Sequence, residues 1–329
     1  MQTSLHRLGA DGPSSTVLPG MTMRKRRWLN IGDFVFRNVT LIFALVVFSL
    51  VFLMGYEMYL GSRETIHEFG WSFIFNQTWD PVADEYGALP FIFGTLVSSL
   101  LALMLALPLS IGVAIFLSEL APRWIERPVS FLVELLAAIP SIVYGLWGIF
   151  VLVPFIRVHV EPALSTLDFL PFFRGAPYGF GMLSAGIILT VMILPIITSI
   201  SRDVLKAIPD LQREAALALG ATRWETTRII LGSARSGILG ATLLGLGRAV
   251  GETMAVTMVI GNRPEISLSL FDPGYSMASV LANEFAEATT SMYTSALIEI
   301  ALVLFALTVI LNGLARLVVW GVTRRFKTG

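Results

Sequence analysis

Long stretches of apolar residues dominate the hydrophobic pattern of this chain. Four of them contain no charged side chain and cover residues 38–56, 86–118, 135–156 and 175–201. Two more, at residues 237–261 and 296–320, have a similar content of Leu, Ile, Val and Ala but include charged residues. A helix needs roughly 20 apolar residues to cross about 30 Å of hydrocarbon. The pattern therefore predicts six transmembrane helices.

The same stretches also indicate the fold class. They do not alternate between apolar and polar residues with a period of two, as the strands of a membrane β-barrel do. Only helices and closed barrels satisfy the backbone polar groups of a chain that crosses lipid. The predicted fold class is therefore all-α, a polytopic membrane helical bundle.

Composition excludes several classes of protein. The chain has 329 residues, of which 55% are hydrophobic and only 14% charged, against about 25% charged in soluble domains. It has no Cys, and its three His residues lie outside the long apolar runs, which argues against disulfides, thiolate sites and His-based catalysis or metal binding. Lys and Arg together equal Asp and Glu at 23 each, so no basic excess indicates nucleic acid.

The distribution of positive charge predicts the orientation of the helices. If the N-terminus is cytoplasmic, 16 of the 23 Lys and Arg residues fall in segments on the cytoplasmic side, and four fall outside. Loops on the cytoplasmic side of membrane proteins carry an excess of Lys and Arg. We therefore expect both termini to be cytoplasmic in a multi-pass protein of the cytoplasmic (inner) membrane.

The longest cytoplasmic loop, residues 202–235, has a regular spacing of its own. Glu214, Ala215 and Ala216 are followed by Gly220 and, after nine intervening residues, by Ile230. The apolar and charged positions predict two short helices joined by a glycine turn. Such an element cannot bury its own apolar face, so it should dock on another surface. An amphipathic helix lying on lipid is the alternative.

Two charged residues inside the fifth stretch are the main candidates for chemistry. If that helix starts near residue 237, Arg248 lies roughly 17 Å into the membrane, close to its midplane. Glu252 follows four residues later and should share its helix face. The two side chains either form a structural ion pair, or Arg248 offers its guanidinium to a passing oxyanion while Glu252 partly neutralises it.

Other polar residues near the predicted spans are weaker candidates. Hydroxyl groups for the substrate pathway are offered by Thr253, Ser141 and Tyr144. Glu134 is expected to form interfacial or inter-helix hydrogen bonds. Glu299 is expected to pair with an Arg of a neighbouring helix. No His or Cys lies with these glutamates, so an intramembrane enzyme is disfavoured and no catalytic residue, metal site or cofactor is expected.

The sequence resembles a known family at several motifs. The spacing Glu-Ala-Ala, Gly220, Ile230 resembles the coupling motif of type I ABC importer permeases, whose cytoplasmic helix sits in a groove of the ATPase subunit. Residues 136–148 (LAAIPSIVYGLWG) and 245–256 (GLGRAVGETMAV) are similar to the phosphate permeases of PstC type. The resemblance extends from residue 89 to the C-terminus. The chain departs from the coupling motif at one place. The motif commonly has Leu-Pro shortly after the Ile, whereas this chain has Gly232 there.

The resemblance implies an organisation and a function. It implies the MetI-like fold for a permease core at residues 89–320, with a coupling loop at 202–235. Outside that core we expect a flexible tail with a basic cluster at 1–34, a first transmembrane helix at 35–60, an external loop at 61–88 and a C-terminal tail at 321–329. The implied function is ATP-driven import of inorganic phosphate, and the alternatives are another small oxyanion (phosphonate, sulfate or molybdate) or a self-contained channel or secondary carrier.

The resemblance also implies partners. They are two copies of a PstB-type ATPase, a homologous PstA-type permease that forms a heterodimer with this chain, and a PstS-type phosphate-binding protein on the outside. None of the three Lys residues follows a glycine, so the chain lacks the Gly-Lys-Ser/Thr sequence that cradles nucleotide phosphates. We therefore expect ATP hydrolysis to belong to a separate subunit and the chain itself not to be an enzyme.

Overall fold

A computed structural model describes residues 22–167 and 169–325, and within these ranges it contains α-helices and no β-strand, only two isolated bridges. The first seven α-helices are α1 Thr22–Gly61, α2 Arg63–Phe69, α3 Ser72–Phe75, α4 Leu89–Ile115, α5 Arg123–Ala137, α6 Ser141–Trp147 and α7 Val153–Phe155. The next seven are α8 Glu161–Leu164, α9 Met182–Lys206, α10 Asp210–Ala218, α11 Arg223–Val250, α12 Met254–Val259, α13 Met277–Glu284 and α14 Ser291–Arg325.

Six helical segments of the described residues are long and apolar enough to cross a membrane. They are Gly32–Gly61, Leu89–Leu120, Ser141–Leu167, Met182–Lys206, Arg223–Val250 and Ser291–Gly321. This confirms the predicted all-α bundle and the number of its spans. The bounds differ from the prediction by several residues at most spans, and the differences at the first, third and fifth spans have local causes.

The first span belongs to a longer helix than the sequence predicts. Helix α1 begins at Thr22, within the segment 1–34 expected to be a flexible tail, so residues 22–34 are helical. The Arg and Lys residues of this stretch are good helix formers, which allows the helix to continue beyond its apolar part. The remainder of that tail, residues 1–21, lies outside the described residues. The chain separates into one unit up to Tyr56 and a second unit from Glu57.

The third span begins later than the apolar run indicates. The run starts at Leu135, but that residue belongs to α5, which ends at Ala137. Pro140 then adopts an extended conformation and α6 starts at Ser141. Proline disfavours helical geometry in the residue before it, so the chain stops one helix and starts another here. The apolar run thus joins the end of an amphipathic helix to the beginning of a span.

Helix α9 lies at the centre of the second unit. Most of its residues from Met182 to Leu205 are buried, and small residues bring its neighbours close. A β-carbon on Gly186 of α9 would lie 2.4 Å from the Leu101 side chain of α4. A β-carbon on Gly245 of α11 would lie 2.7 Å from the Ile197 side chain of α9. Such glycine contacts allow membrane helices to pack at short distances without a hydrophobic driving force.

The fifth span is interrupted where the sequence predicts a continuous helix over 237–261. Helix α11 starts at Arg223, inside the cytoplasmic loop, and ends at Val250. The next three residues are not helical, and the short helix α12 starts at Met254. Gly251 ends α11, and glycine destabilises a helix interior relative to alanine. On this chain Gly251 is exposed and Glu252 and Thr253 are half-buried, and broken membrane helices occur where such backbone meets protein or lines a water-filled cavity.

Candidate functional site

The coupling loop folds as two helices with a tight turn, as the spacing predicts, but the second helix is not short because it continues as α11 to Val250. Helix α10 carries Glu214, Ala215 and Ala216, and Gly220 lies in the turn with a φ angle of +83°. This left-handed conformation is one that glycine adopts without the cost of a β-carbon. The amide of Ala221 donates to the carbonyl of Ala216 at 3.1 Å, which closes the end of α10.

The beginning of α11 is fixed by its own side chains. The Thr222 hydroxyl accepts from the amide of Glu225 at 3.3 Å, and the Glu225 carboxylate accepts from the amide of Thr222 at 2.8 Å. This reciprocal pair is a capping box, which satisfies two backbone donors at a helix start. The turn around Gly220 is therefore held rigidly on its C-terminal side.

The turn and its two helices expose apolar side chains. Leu219 has 90% of its surface exposed, and Leu211, Leu217 and Trp224 are also largely exposed. On the opposite side Ala216 and Ile230 are buried against the bundle. Glu214 and Ala215 lie on the exposed side. An apolar surface of this kind indicates a site of interaction with another molecule.

Three acidic side chains preceding the third span each bind a basic side chain at the end of α9 or just beyond it. The pairs are Glu119–Arg213, Glu126–Lys206 and Glu134–Arg202. The contact of Glu134 agrees with the expected inter-helix hydrogen bond. The other two pairs were missed, because spacing along a sequence does not show which separated helices meet. The one sequence feature that could have pointed to such a pair is the position of Arg213, directly before the Glu-Ala-Ala motif.

Two of these charged groups that lie outside the membrane spans, Glu126 and Arg213, have shifted pKa values. The hydrogen bond from Lys206, which is the largest cause, lowers the pKa of Glu126 below its ordinary value of 4.5. Hydrogen bonds to Glu119 raise the pKa of Arg213, although partial burial acts in the opposite direction. Both shifts favour the charged forms. Around neutral pH these pairs are therefore ion pairs.

Arg248 and Glu252 do not have the predicted relationship. Because α11 ends at Val250, the two residues are not one turn apart on a continuous helix. Among the residues that the structure describes, no carboxylate lies within 4.0 Å of the Arg248 guanidinium. Glu252 instead turns toward the start of α12, where its Oε1 accepts a long bond of 3.5 Å from the amide of Ala255. Arg248 is exposed on the surface of this single chain.

The three hydroxyl candidates lie in α6 and in the break between α11 and α12. The Tyr144 hydroxyl donates to the carbonyl of Leu136 at 2.8 Å, so it links α6 to α5, and the ring is buried. Thr253 is half-buried and its hydroxyl donates to the carbonyl of Gly251 at 3.4 Å, while Ser141 is half-buried at the start of α6.

The packing of α11 on α9 gives the level of Arg248 in the bundle. Gly237 lies against Val204, and Gly245 lies against Ile197, so the two helices run antiparallel. Continuing this register by three residues brings Arg248 level with roughly residue 194 of α9, because both helices rise about 1.5 Å per residue. That residue is close to the middle of the span Met182–Lys206.

Two further glutamates lie in α13 and α14. Glu299 is buried, and its Oε2 has no hydrogen-bond partner among the described residues, so the expected pairing with an Arg is absent there. Glu284, which the sequence analysis did not consider, accepts from Trp79 Nε1 at 2.9 Å and from the Tyr293 hydroxyl at 2.8 Å. It ties the segment before α4 to α14. Within the described ranges, no cluster of His, Cys, Asp or Glu could hold a metal ion.

Comparison with known proteins agrees with this geometry. The family described as "Binding-protein-dependent transport system inner membrane component" matches residues 106–324. The phosphate transport system permease protein PstC of Haemophilus influenzae is 46% identical over 91% of this chain and 97% of its own length. The Xylella fastidiosa protein of the same name is 44% identical over 95% and 97%. The chain belongs to the PstC family of phosphate transport permeases.

A solved structure shows the fold at lower sequence similarity. An inward-facing MetNI methionine ABC transporter structure contains a chain that is 20% identical and aligns with a TM-score of 0.54. The match covers 70% of this chain and 94% of that chain. The PstC-family chain therefore has the MetI-type fold and is a multi-pass membrane protein, not a catalytic subunit. As an ABC importer permease it works with an ATPase subunit and a PstA-type permease.

Proposed function

We propose that this PstC-family chain is the half of a phosphate importer that joins the ATPase to the substrate pathway through one helix. The observation that carries the proposal is the extent of α11, which runs without interruption from Arg223 in the coupling loop to Val250. Arg248 near its far end lies about 38 Å from its start. The surface that receives the force and the residue that meets the anion thus belong to one rigid element.

The coupling loop supports docking of a PstB-type ATPase. Its apolar side chains, with Leu219 at the tip, are largely exposed in the part of the chain that the structure describes. The turn at Gly220 and the capping box at Thr222 fix their arrangement before any partner binds. A preorganised surface loses little conformational entropy on association. Two ATPase copies, one for this chain and one for a PstA-type permease, complete the importer.

Arg248 supports an anion pathway. A charged side chain facing lipid near the middle of a membrane costs roughly 2.5–3.5 kcal/mol on insertion scales. Arg248 lies at the level of the middle of α9, is exposed on this chain and has no carboxylate of the described residues within ion-pair distance. It therefore faces the PstA-type partner and the pathway between the two permeases. Its planar guanidinium binds a phosphate oxyanion through two parallel hydrogen bonds.

Glu252, Thr253, Ser141 and Tyr144 are proposed to shape this pathway and not to bind the anion directly. Helix α6 packs on α12, since a β-carbon on Gly145 would lie 2.5 Å from Met258. The hydroxyl of Tyr144 fixes the start of that helix. Glu252 contributes a negative charge close to the break, which keeps the anion from binding too tightly.

The proposal also includes the orientation of the chain in the membrane. The coupling loop and both termini are cytoplasmic, and the segments before α4 and between α12 and α14 face outward. A PstS-type phosphate-binding protein would release its ligand on that outer side. The positive-inside distribution of Lys and Arg supports this arrangement.

Transport by reconstituted complexes tests the proposal. The four-component importer should accumulate radiolabelled phosphate in vesicles when ATP is inside, and sulfate or molybdate in excess should not compete. Arg248→Gln should assemble at the normal yield and lose uptake, and Arg248→Lys should keep only part of it. Because Arg248 has no carboxylate partner here, adding Glu252→Gln should not restore transport. Recovery of uptake in that double variant would reduce Arg248 to a packing role, and competition by sulfate would indicate another oxyanion.

A further inference from the structure

The side chain of Arg213, at the start of the coupling helix α10, binds a transmembrane helix that is distant in sequence. Its Nη2 donates to Glu119 Oε1 at 2.8 Å, and its Nε donates to Glu119 Oε2 at 3.1 Å. Glu119 lies in the last turn of the second span, Leu89–Leu120. Only 19% of the arginine side chain and 9% of the glutamate side chain are exposed. The two planar groups form a bidentate pair that is largely shielded from water.

The same guanidinium also binds the connection between α9 and α10. Nη2 donates to the carbonyl of Leu205 at 2.9 Å, and Nη1 donates to the carbonyl of Ile208 at 2.8 Å and to Asp210 Oδ1 at 3.1 Å. Leu205 lies in the last turn of α9, where backbone acceptors lack intrahelical partners, and Ile208 lies in the connection that follows. One side chain therefore holds together the end of the second span, the end of the fourth span and the coupling helix.

The rest of α10 contributes little to this attachment. Within the described part of the chain, the hydrogen bonds and ion pairs between α10 and the second span all come from Arg213. Ala216 is the only buried residue of α10. The Ser233 hydroxyl donates to Gln212 at 3.1 Å, but this bond leads to α11. A force applied to the exposed side of α10 reaches the second span at Arg213.

We propose that Arg213 is a positioning residue for energy coupling, through which movement of the ATPase-bound α10 is transmitted to the second span as well as to α11. The proposal rests on the proposed docking of the ATPase at the coupling loop. The pair adds a direct polar connection from α10 to the second span, beside the apolar packing in which Ala114 of that span shares a buried cluster with Ile230 of α11. A lysine at this position would keep the positive charge but could not bind both carboxylate oxygens and the two carbonyls at once.

The experiment is a double-mutant cycle on the reconstituted complex. Arg213→Lys and Glu119→Gln are made singly and together, and phosphate uptake per ATP hydrolysed is measured in vesicles. Each single variant should lower this ratio about fivefold, and the double variant should be no worse than either, because both changes break the same connection. Arg123→Glu is the control for altered charge on the same side of the bundle, since Arg123 is exposed, and it should leave the ratio unchanged.

Association with the ATPase is measured in parallel and separates two kinds of failure. If the ATPase does not co-purify with the unmodified permease through the coupling loop, the proposed function fails. If it co-purifies with every variant and the uptake ratio is unchanged, the inference about Arg213 fails and the proposed function stands. If Arg213→Lys lowers the ratio while Glu119→Gln does not, Arg213 serves only the carbonyls at the end of α9, and the proposed connection to the second span is wrong.

Discussion

Gly94 of α4 packs directly against the backbone of Tyr275, so that a β-carbon at position 94 would lie 2.1 Å from the Tyr275 carbonyl oxygen. The contact is reinforced one residue further along, where the Thr95 hydroxyl accepts from the amide of Met277 at 2.9 Å. Backbone cannot move aside as a flexible side chain does. The segment that precedes α13 is therefore seated on α4 at a position that only glycine permits.

We predict that Gly94→Ala destabilises the folded permease by roughly 1–3 kcal/mol, as overpacking of a close contact does. Gly112→Ala is a matched control in the same helix, because a β-carbon there meets nothing within 4 Å. It should be neutral or stabilising by up to about 1 kcal/mol, since alanine favours helix more than glycine. Thermal unfolding in detergent measures both. Equal melting temperatures for the two variants would contradict the contact.

We predict that substitutions of Gly220 act through backbone conformation and not through a steric clash. Its φ angle is +83°, yet the space around its α-carbon is empty. The left-handed conformation costs most residues roughly 1–2 kcal/mol, whereas Asn adopts it more readily. Gly220→Asn should therefore retain most ATPase co-purification and uptake, and Gly220→Val should lose both. Similar losses in the two variants would indicate that the partner contacts this position directly.

A third prediction concerns pH. Because the pKa of Glu126 is lowered in the folded protein, mainly by the hydrogen bond from Lys206, its pair contributes stability at pH values above the ordinary pKa of 4.5. That contribution is lost as pH falls through the lowered pKa. Glu126→Gln should thus melt at a lower temperature than the unmodified protein at pH 7. The gap should close in acid, and a gap that persists unchanged at the lowest pH would argue against the ion pair.

Labelling tests the orientation of the bundle. The chain contains no Cys, so single cysteines can be introduced without background. Leu219 in the coupling loop and Val82 before α4 are exposed to 90% and 96%. An impermeant thiol reagent applied to intact cells should label Val82→Cys and not Leu219→Cys, and permeabilised cells should show both. The opposite pattern would reverse the topology.

The hydrophobic pattern was sufficient for the six spans, because burial in lipid requires long apolar runs whatever the neighbouring helices do. It was insufficient at two helix ends. The run that begins at Leu135 joins an amphipathic helix to a span, and the local effect of Pro140 decides where one ends. The fifth span is interrupted at Gly251. Counting apolar residues along the sequence does not reveal this interruption.

The helix–turn–helix form of the coupling loop could be predicted because its fold is local, although the capping box and the full length of α11 were not. The turn at Gly220 and the capping box at Thr222 and Glu225 depend on residues only a few positions apart. The pairing of Arg248 with Glu252 was wrong because it assumed a helix through the break. The Glu119–Arg213 pair could not be foreseen, since it joins residues 94 positions apart, and only the packing of α4 on α9 brings them together.

The uninterrupted length of α11 has a mechanical consequence. The helix has 28 residues and is therefore about 42 Å long. If its cytoplasmic end is held by a partner and the helix tilts by about 5°, simple leverage moves its far end by roughly 4 Å. That displacement exceeds the length of a hydrogen bond. A modest rotation at the membrane surface is thus enough to withdraw the guanidinium of Arg248 from an ion it holds, without any change in the conformation of the side chain itself.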